Sequence, residues 1–416
     1  MNILHINYSD KIGGASRATY RIHKSLINHN VNSKMLVCKK HTDDPTIIGP
    51  PTIISKYLPK IRNFISSKIA GLQKTNNPIL HSLNIFPTGL HKYINSTDVD
   101  IVHLHWINGE MLSIKEIEKI NKPIVWTLHD SWAFCGAEHH SAIENDSRYI
   151  NGYNKNNRNV GDSGVDLNRW IWNKKNKYWK DIPLTIVCPS KWLYENCKNS
   201  YLFKNADIYN IPNCISTEDF SPLDKSIARE LFNLPLNKKY ILFGAINATN
   251  HPLKGYDILV KTLGKLNNPS NIELLVFGSS NGNQGLSNNI KTHFLGQFQD
   301  NVSLKLLYNA ADIFVSPSMQ ENLSCVIIES LACGTPVVAF DIGGNGDIIK
   351  HNKNGYLAKP FNSDDLGKGI NQILDHLNNY STAGINKDIE YRFGESQVAD
   401  VYEKVYKNIL NNKGYN

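Results

Sequence analysis

Apolar residues fall in short runs bounded by polar turns, with helical periodicity between them. Residues 2–8 predict a strand, Ala15–Asn28 a helix and Ser33–Lys39 a second strand. Ile101–His105, Pro123–Asp130 and Leu184–Ser190 predict three more strands. The alternation resumes with strand Tyr240–Gly244, helix 255–266, strand Ile272–Phe277, strand His293–Leu295 and helix 301–310. Compact apolar runs between turns suit buried parallel strands, and repeated β–α alternation makes doubly wound sheets. Two such series in 416 residues predict two α/β domains. The stretch from Tyr209 to Pro222 reads as the linker, with the boundary near 212. Phe393, Val398, Val401, Val405 and Ile409 form a helical stripe near the chain's end.

The most informative stretch is 312–340. Asp312–Ser316 is an apolar run closed by Pro317, and Ser324 stands where its hydroxyl can cap the next helix. Val326–Ala332 has helical spacing, Gly334 suits the left-handed position that ends a helix, and Val337–Phe340 reads as a buried strand. Glu321 falls in the loop and Glu329 on the helix. The helix N-terminus between them offers N–H groups and a positive dipole end to a phosphate or sugar oxygen. A carboxylate at 329 has two acceptor oxygens for the two hydroxyls of a ribose. Elsewhere, Gly13-Gly14 forms a glycine turn at the mouth of the first strand, where backbone can approach a ligand closely. It lacks the spaced glycines of a dinucleotide fingerprint.

Glu321 and Glu329, with seven residues between them, are set in SPSMQEN, then IIESLACGTPVVAFDIGG. Together they resemble the donor-site signature of glycosyltransferase family 4. The resemblance implies an α/β GT-B fold: two doubly wound parallel-sheet (Rossmann-like) domains facing a cleft. Residues 1–211 would bind the acceptor, 212–388 the nucleotide sugar, and 389–416 would cross back as a helix. It further implies a retaining transferase that takes a nucleotide-diphosphate sugar as donor substrate and needs no cofactor. The acceptor would be a lipid-linked or growing glycan of a bacterial surface polysaccharide. By the same resemblance Glu329 holds the ribose and Glu321 the donor sugar, with Asn322, Leu323 and Ser324 at the helix N-terminus. Lys254 and the Gly343-Gly344-Asn345 turn would hold the phosphates, and Asp347 matches an acidic position after that turn. Gly13, Gly14 and Arg17 match the family's turn beside the cleft, although Arg17 taken alone could equally be a solvated surface residue. His129, at a strand's carboxyl end, matches a histidine that contacts the transferred sugar, with Asp130 orienting it or the acceptor. The chain departs from the pattern at Ala248, where an arginine is usual, and near Ala137, where a cysteine cluster is often found.

Several segments carry open readings. Trp132, Phe134, Glu138, His139 and His140 are expected in an acceptor-facing loop, and 145–168, rich in Asn, Asp and Gly, as a long mobile loop. Residues 169–180 mix three tryptophans with five basic residues, as sugar-stacking or membrane-interface groups or as a surface helix with its aromatic side buried. Residues 55–75 hold five basic residues and no acid, with Ile61, Phe64, Ile65, Ile69 and Leu72 at helical spacing. That pattern suits a helix on an anionic membrane surface, or one packed on its own domain.

Composition narrows the rest. At 41% hydrophobic and 20% charged, with no apolar run near the ~18 residues of a span, the chain reads as a soluble cytoplasmic protein touching the inner face of the membrane. The seven cysteines form no Cys-x-x-Cys pair and read as reduced thiols. Residues 1–210 hold 27 Lys/Arg against 17 Asp/Glu, and the remainder 18 against 20, so the net +8 sits in the N-terminal half. An anionic partner is expected there; nucleic acid is disfavoured for want of a motif. Asp98-Val-Asp100 precedes a strand rather than following one, so no metal is assigned. Rival readings are a catalytically silent partner subunit and a sugar-nucleotide epimerase.

Overall fold

The computed structural model describes every residue except 51–52, 141–147, 246, 268, 282–289 and 413–416, and for 53–56 and 412 the backbone alone. The chain divides into two compact units, Met1–Pro212 with Val398–Asn416, and Asn213–Gln397.

The first unit is built on strands β1 (Asn2–Ser9), β2 (Asn32–Lys39), β3 (Ile47–Ile48), β5 (Ile101–Leu104), β6 (Ile124–Thr127), β8 (Leu184–Cys188) and β9 (Asp207–Asn210), with β4 (Gln73–Lys74) and β7 (Ser163–Gly164) as a separate antiparallel pair. The large sheet runs β3-β2-β1-β5-β6-β8-β9, parallel throughout. From β1 the chain winds outward one way, then crosses over to β5 and winds the other way. The two faces of this sheet differ in kind. Leu4, Ile6, Val102, Leu104, Ile124, Trp126 and Leu128 point into one apolar core. The opposite face, at alternate positions, carries His5, Asn7, His103, His105, Thr127 and His129. Helices Gly14–Asn28 and Glu395–Asn412 supply partners to this polar face, among them Thr19 and His23 from the first, Tyr402 and Tyr406 from the second.

The second unit has β10 (Lys239–Gly244), β11 (Ile272–Phe277), β12 (Lys291–Phe294), β13 (Ile313–Ser316), β14 (Val337–Phe340) and β15 (Gly355–Ala358), parallel in the order β12-β11-β10-β13-β14-β15. Its inner strands β10, β11, β13 and β14 are largely apolar on both faces, as a sheet covered by helices on each side requires, while edge strand β12 is polar. Buried Asp312 fixes its centre: one carboxylate oxygen accepts from the Tyr240 N–H and from Arg229, each at 2.7 Å. That ties the start of β10 to the residue before β13. In each unit the winding reverses beside its first strand, between β1 and β5 and between β10 and β13. Ligands of open α/β sheets bind at the strands' carboxyl ends beside such reversals.

Two sequence expectations change. Strand β9, which ends inside the stretch read as linker at Tyr209 and Asn210, was not expected, because a short strand with exposed ends carries a weak pattern. The segment 148–168 is built rather than loose: Arg148–Asn151 is helical, and buried Arg148 pairs with Asp166 at 2.9 Å. The aromatic face of Tyr153 lies 4.4 Å from the same guanidinium. A cation satisfied in this way holds its segment in place without apolar periodicity. Residues 145–147 lie outside the described residues.

Candidate functional site

In the C-terminal unit, three loops meet at the carboxyl ends of β10, β13 and β14. Lys254 ends a short 3-10 turn, Pro252–Lys254, and its Nζ is 2.6 Å from Glu321 Oε1. Gly255 follows with φ +71°, and a Cβ there would lie 2.0 Å from the Pro317 carbonyl. Gly343, at φ +51°, comes as close to the Glu321 carbonyl, where a Cβ would lie at 1.8 Å. Only glycine allows both the backbone angle and the approach, so these two positions clamp the 317–321 loop from either side. The Met319 N–H donates to the Leu253 carbonyl at 2.8 Å and completes the clamp.

Behind the loop, Ser324 stands at the N-cap of helix Cys325–Ala332, but its side chain makes no capping bond. The expected hydroxyl cap is therefore absent. Glu329 is fully buried one turn in, and the Tyr308 hydroxyl donates to its Oε2 at 2.8 Å. Asn322 and Leu323 are nearly buried beside it. Asn345 departs from the sequence reading: its side chain is fully buried, with Nδ2 donating to the Phe340 carbonyl at 3.0 Å. It braces the glycine turn from inside; Gly343 is partly exposed and Gly344 is buried. Asp347 lies in the first turn of helix Asn345–Ile348.

In the N-terminal unit, Gly13 and Gly14 open helix Gly14–Asn28, and Gly13 has φ +105°, which a side chain would resist. The turn before them is anchored by buried Asp10, which accepts from the His41 and Thr42 N–H groups and the Thr42 hydroxyl. Arg17, one turn into the helix, is partly exposed. His129 follows β6, and its Nε2 lies 3.1 Å from Nδ1 of His105. Burial pulls the His129 imidazole down to about 4 despite the opposing charge of Asp130, so it is neutral at pH 7. The Asp130 carboxylate accepts from Trp106 Nε1 at 3.1 Å, His139 Nδ1 at 2.6 Å and the Trp132 N–H at 2.9 Å. Burial pushes the Asp130 carboxyl up, but His139 and these donors outweigh it and hold it well below the usual carboxylate range.

The acceptor-facing loop is also corrected. Trp132, Phe134, Glu138 and His139 are buried, and the Tyr153 hydroxyl donates to Glu138. Lys175, buried in helix Leu167–Trp179, donates to the carbonyls of Trp132, Cys135 and Gly136, with the Trp132 ring 3.7 Å from the ammonium. A buried lysine thus ties down the loop after His129-Asp130, and a basic-aromatic composition gives no sign of it. Trp172 and Trp179 are buried and Trp170 is partly exposed, which matches the surface-helix reading of 169–180. Sequence reasoning places His5, His103 and His105 only as strand residues. Their signal was legible: histidines at one parity on neighbouring strands share a face.

Helix Ile53–Ala70 is anchored by Ser66, whose hydroxyl donates to Glu110 at 2.6 Å, and by Ile69 against the core. Of its described apolar residues, Ile61 is 56% and Phe64 62% exposed and Ile65 is exposed too, as is Leu72 just past the helix end. Lys60 and Lys68 lie over the rings of Tyr57 and Phe64. Among the described residues no helix is long and apolar enough to cross a membrane.

Comparison with known proteins agrees with this architecture. Residues 12–219 match the profile described as Glycosyltransferase Family 4, and 226–387 that of Glycosyl transferases group 1. A D-inositol 3-phosphate glycosyltransferase of Catenulispora acidiphila is 32% identical over 211 residues, 46% of this chain and 48% of that protein. The chain therefore spans about half the length of this curated relative. Sucrose-phosphate synthase of Thermosynechococcus elongatus superposes with a TM-score of 0.69 at 16% identity, covering 99% of this chain and 100% of that one. Anabaena HepE, solved in complex with UDP-glucose, gives 0.62 at 16% identity, covering 98% and 100%. At such identity these likenesses show the fold, which is GT-B. With half of the chain matched by a single family profile and the Glu321–Glu329 signature at the reversal point of its second sheet, the chain belongs to glycosyltransferase family 4.

Proposed function

We propose that the chain is a retaining glycosyltransferase that moves a sugar from a nucleotide-diphosphate sugar to a lipid-linked or growing glycan acceptor. Its setting would be bacterial surface polysaccharide synthesis at the inner face of the cell membrane. The observation that carries the reading is the Lys254–Glu321 pair, clamped between two obligatory glycine turns at the carboxyl end of a parallel sheet. An ammonium held there by a carboxylate is poised to exchange that partner for a diphosphate. Glu321 then has its acceptor oxygens for hydroxyls of the donor sugar, and Glu329, behind it, reaches the ribose. In the reaction the bond from the anomeric carbon to phosphate oxygen breaks, and a bond to the acceptor oxygen forms on the same face. The acceptor's proton passes to the departing phosphate oxygen. Lys254 and the N–H groups of the glycine turn stabilise the charge that develops there. His129 would meet substrate as a neutral imidazole. No metal or cofactor enters the proposal.

The outward apolar face of helix Ile53–Ala70, with cations and no acid along it, supports the membrane part. Such a helix lies in the interface plane, apolar side down, with lysines at the anionic headgroups. One observation favours a silent partner subunit: Ala248, buried where family members carry an arginine. Incubation with a panel of nucleotide sugars and lipid-linked acceptors, read by mass spectrometry, decides. The expected result is a glycosylated acceptor whose formation survives excess EDTA. Donor binding without any transfer favours the silent subunit, and an altered donor without acceptor favours an epimerase.

A further inference from the structure

The polar face of the N-terminal sheet holds more than the residue at its edge. His5 Nδ1 lies 2.9 Å from His105 Nε2, and His105 Nδ1 lies 3.1 Å from His129 Nε2. Successive rings meet edge to edge, their planes tilted by 29° and 24° and their centroids 5.2 and 5.4 Å apart, as in-plane N–H···N contacts require. Three imidazoles thus run in series from the middle of β1 to the ligand-binding end of the sheet. His5 and His105 are buried, and burial keeps all three rings neutral at pH 7. A neutral imidazole has one N–H and one lone pair. Both contacts can be hydrogen bonds only if every N–H points the same way along the series; any other arrangement sets two hydrogens or two lone pairs face to face.

The far end selects the direction. Among the described residues, buried His5 Nε2 has no hydrogen-bond partner. Were the N–H groups directed toward His5, a hydrogen would be stranded there. In the reverse direction only a lone pair is stranded, and unsatisfied acceptors are the commoner of the two in native interiors. Thr19, which lies 3.5 Å from His129 Nε2, spends its hydroxyl hydrogen on the Ala15 carbonyl and is too distant to compete. Nor does the neighbouring His103 convert the group into a metal site. The three rings of His5, His103 and His105 bring nitrogens within 4.8 Å of one another. His103, however, spends both nitrogens, one on the Tyr406 hydroxyl at 2.6 Å and one on the Thr127 hydroxyl at 2.8 Å.

We propose that His5 and His105 are positioning residues that hold His129 in the tautomer with its proton on Nδ1. His129 then offers a hydrogen-bond donor from Nδ1, suited to a lone pair on a sugar oxygen, while Nε2 faces the protein. The functional consequence rests on the reading of His129 as a substrate contact; the tautomer itself does not.

The test is a two-bond ¹H–¹⁵N spectrum of the full chain labelled with [¹⁵N]histidine, with no substrate added and His129 assigned by its loss in His129→Gln. Nδ1 of His129 should read as a protonated, pyrrole-type nitrogen and Nε2 as pyridine-type. His5→Leu removes the donor at the head of the series and should mix or invert that pattern. His5→Asn, which keeps an N–H near the position of Nδ1, should restore it. A wild-type spectrum with the proton on Nε2 overturns the proposal without any variant. So does an unchanged His129 pattern in His5→Leu of native melting temperature, or stoichiometric zinc in the purified protein that is lost in that variant. Donor turnover in His129→Gln tests the substrate contact separately, and full turnover there would remove that reading while leaving the tautomer result standing.

Discussion

Glu321 and Glu329 carry the same group eight positions apart, yet their surroundings give them different work. Glu321 holds the Lys254 ammonium in the free protein. Glu321→Gln releases that cation, so a nucleoside diphosphate should bind as well or more tightly while turnover with the sugar nucleotide falls. Glu329→Gln retains an acceptor for the Tyr308 hydroxyl but turns an NH₂ toward the ribose. Charge-assisted hydrogen bonds are worth roughly 1.5–3 kcal/mol, so binding should weaken about ten- to hundredfold at 1.4 kcal/mol per decade. Calorimetry on both variants checks this, and wild-type affinity in Glu329→Gln would remove the ribose assignment. At this scale the sequence showed which residue types gather, because spacing fixes their place on loop and helix. It could not show which way each side chain turns. Asn345 braces its own turn through the Phe340 carbonyl and Asp130 serves His139, because the loop's folding, not residue type or spacing, decides where each side chain points.

Among the elements, the strands were the most legible. Ile272–Phe277 appears where its unbroken apolar run placed it, and Ala15–Asn28 differs from the observed helix by one residue. Helix Ile53–Ala70 shows the limit of periodicity, which reveals an apolar face but not what the face meets. Here that face meets solvent at Ile61, Phe64 and Ile65. A juxtamembrane cation is worth about 1 kcal/mol near an anionic surface. Loss of three, in Lys60→Glu/Arg62→Glu/Lys68→Glu, should lower partition onto phosphatidylglycerol vesicles at least about a hundredfold, with little change on neutral phosphatidylcholine. Equal sedimentation of wild type and variant with anionic vesicles would end the membrane proposal.

Across the whole molecule the two units should respond differently to acid. His5, His23, His103, His105 and His129 are all held below the ordinary histidine value, mainly by burial, with His23 and His129 at about 4. As pH falls below about 6.5 the unfolded chain takes up protons that these native rings refuse, so stability falls with pH until their folded values are reached. One unit below, each ring costs about 1.4 kcal/mol, and five together cost about 7, against a typical total of about 5–15. None of the histidines of the C-terminal unit is buried. All seven tryptophans lie between 106 and 192, so their fluorescence reports on the N-terminal unit alone. It should shift between about pH 6 and 5; emission unchanged down to about pH 4 would contradict this reading of the buried histidines. The two-sheet fold was legible because β–α alternation is a local pattern. The histidine face is legible only when strand parity is compared across residues about a hundred positions apart, a signal no local pattern carries. The central claim, a nucleotide-sugar site at the reversal point of the second sheet, is tested most directly by titrating UDP, GDP and ADP into wild type and Lys254→Met by calorimetry. At least one diphosphate should bind, and Lys254→Met should weaken it about ten- to hundredfold without altering the melting temperature. No binding of any of the three, or equal binding by the variant, would contradict the account.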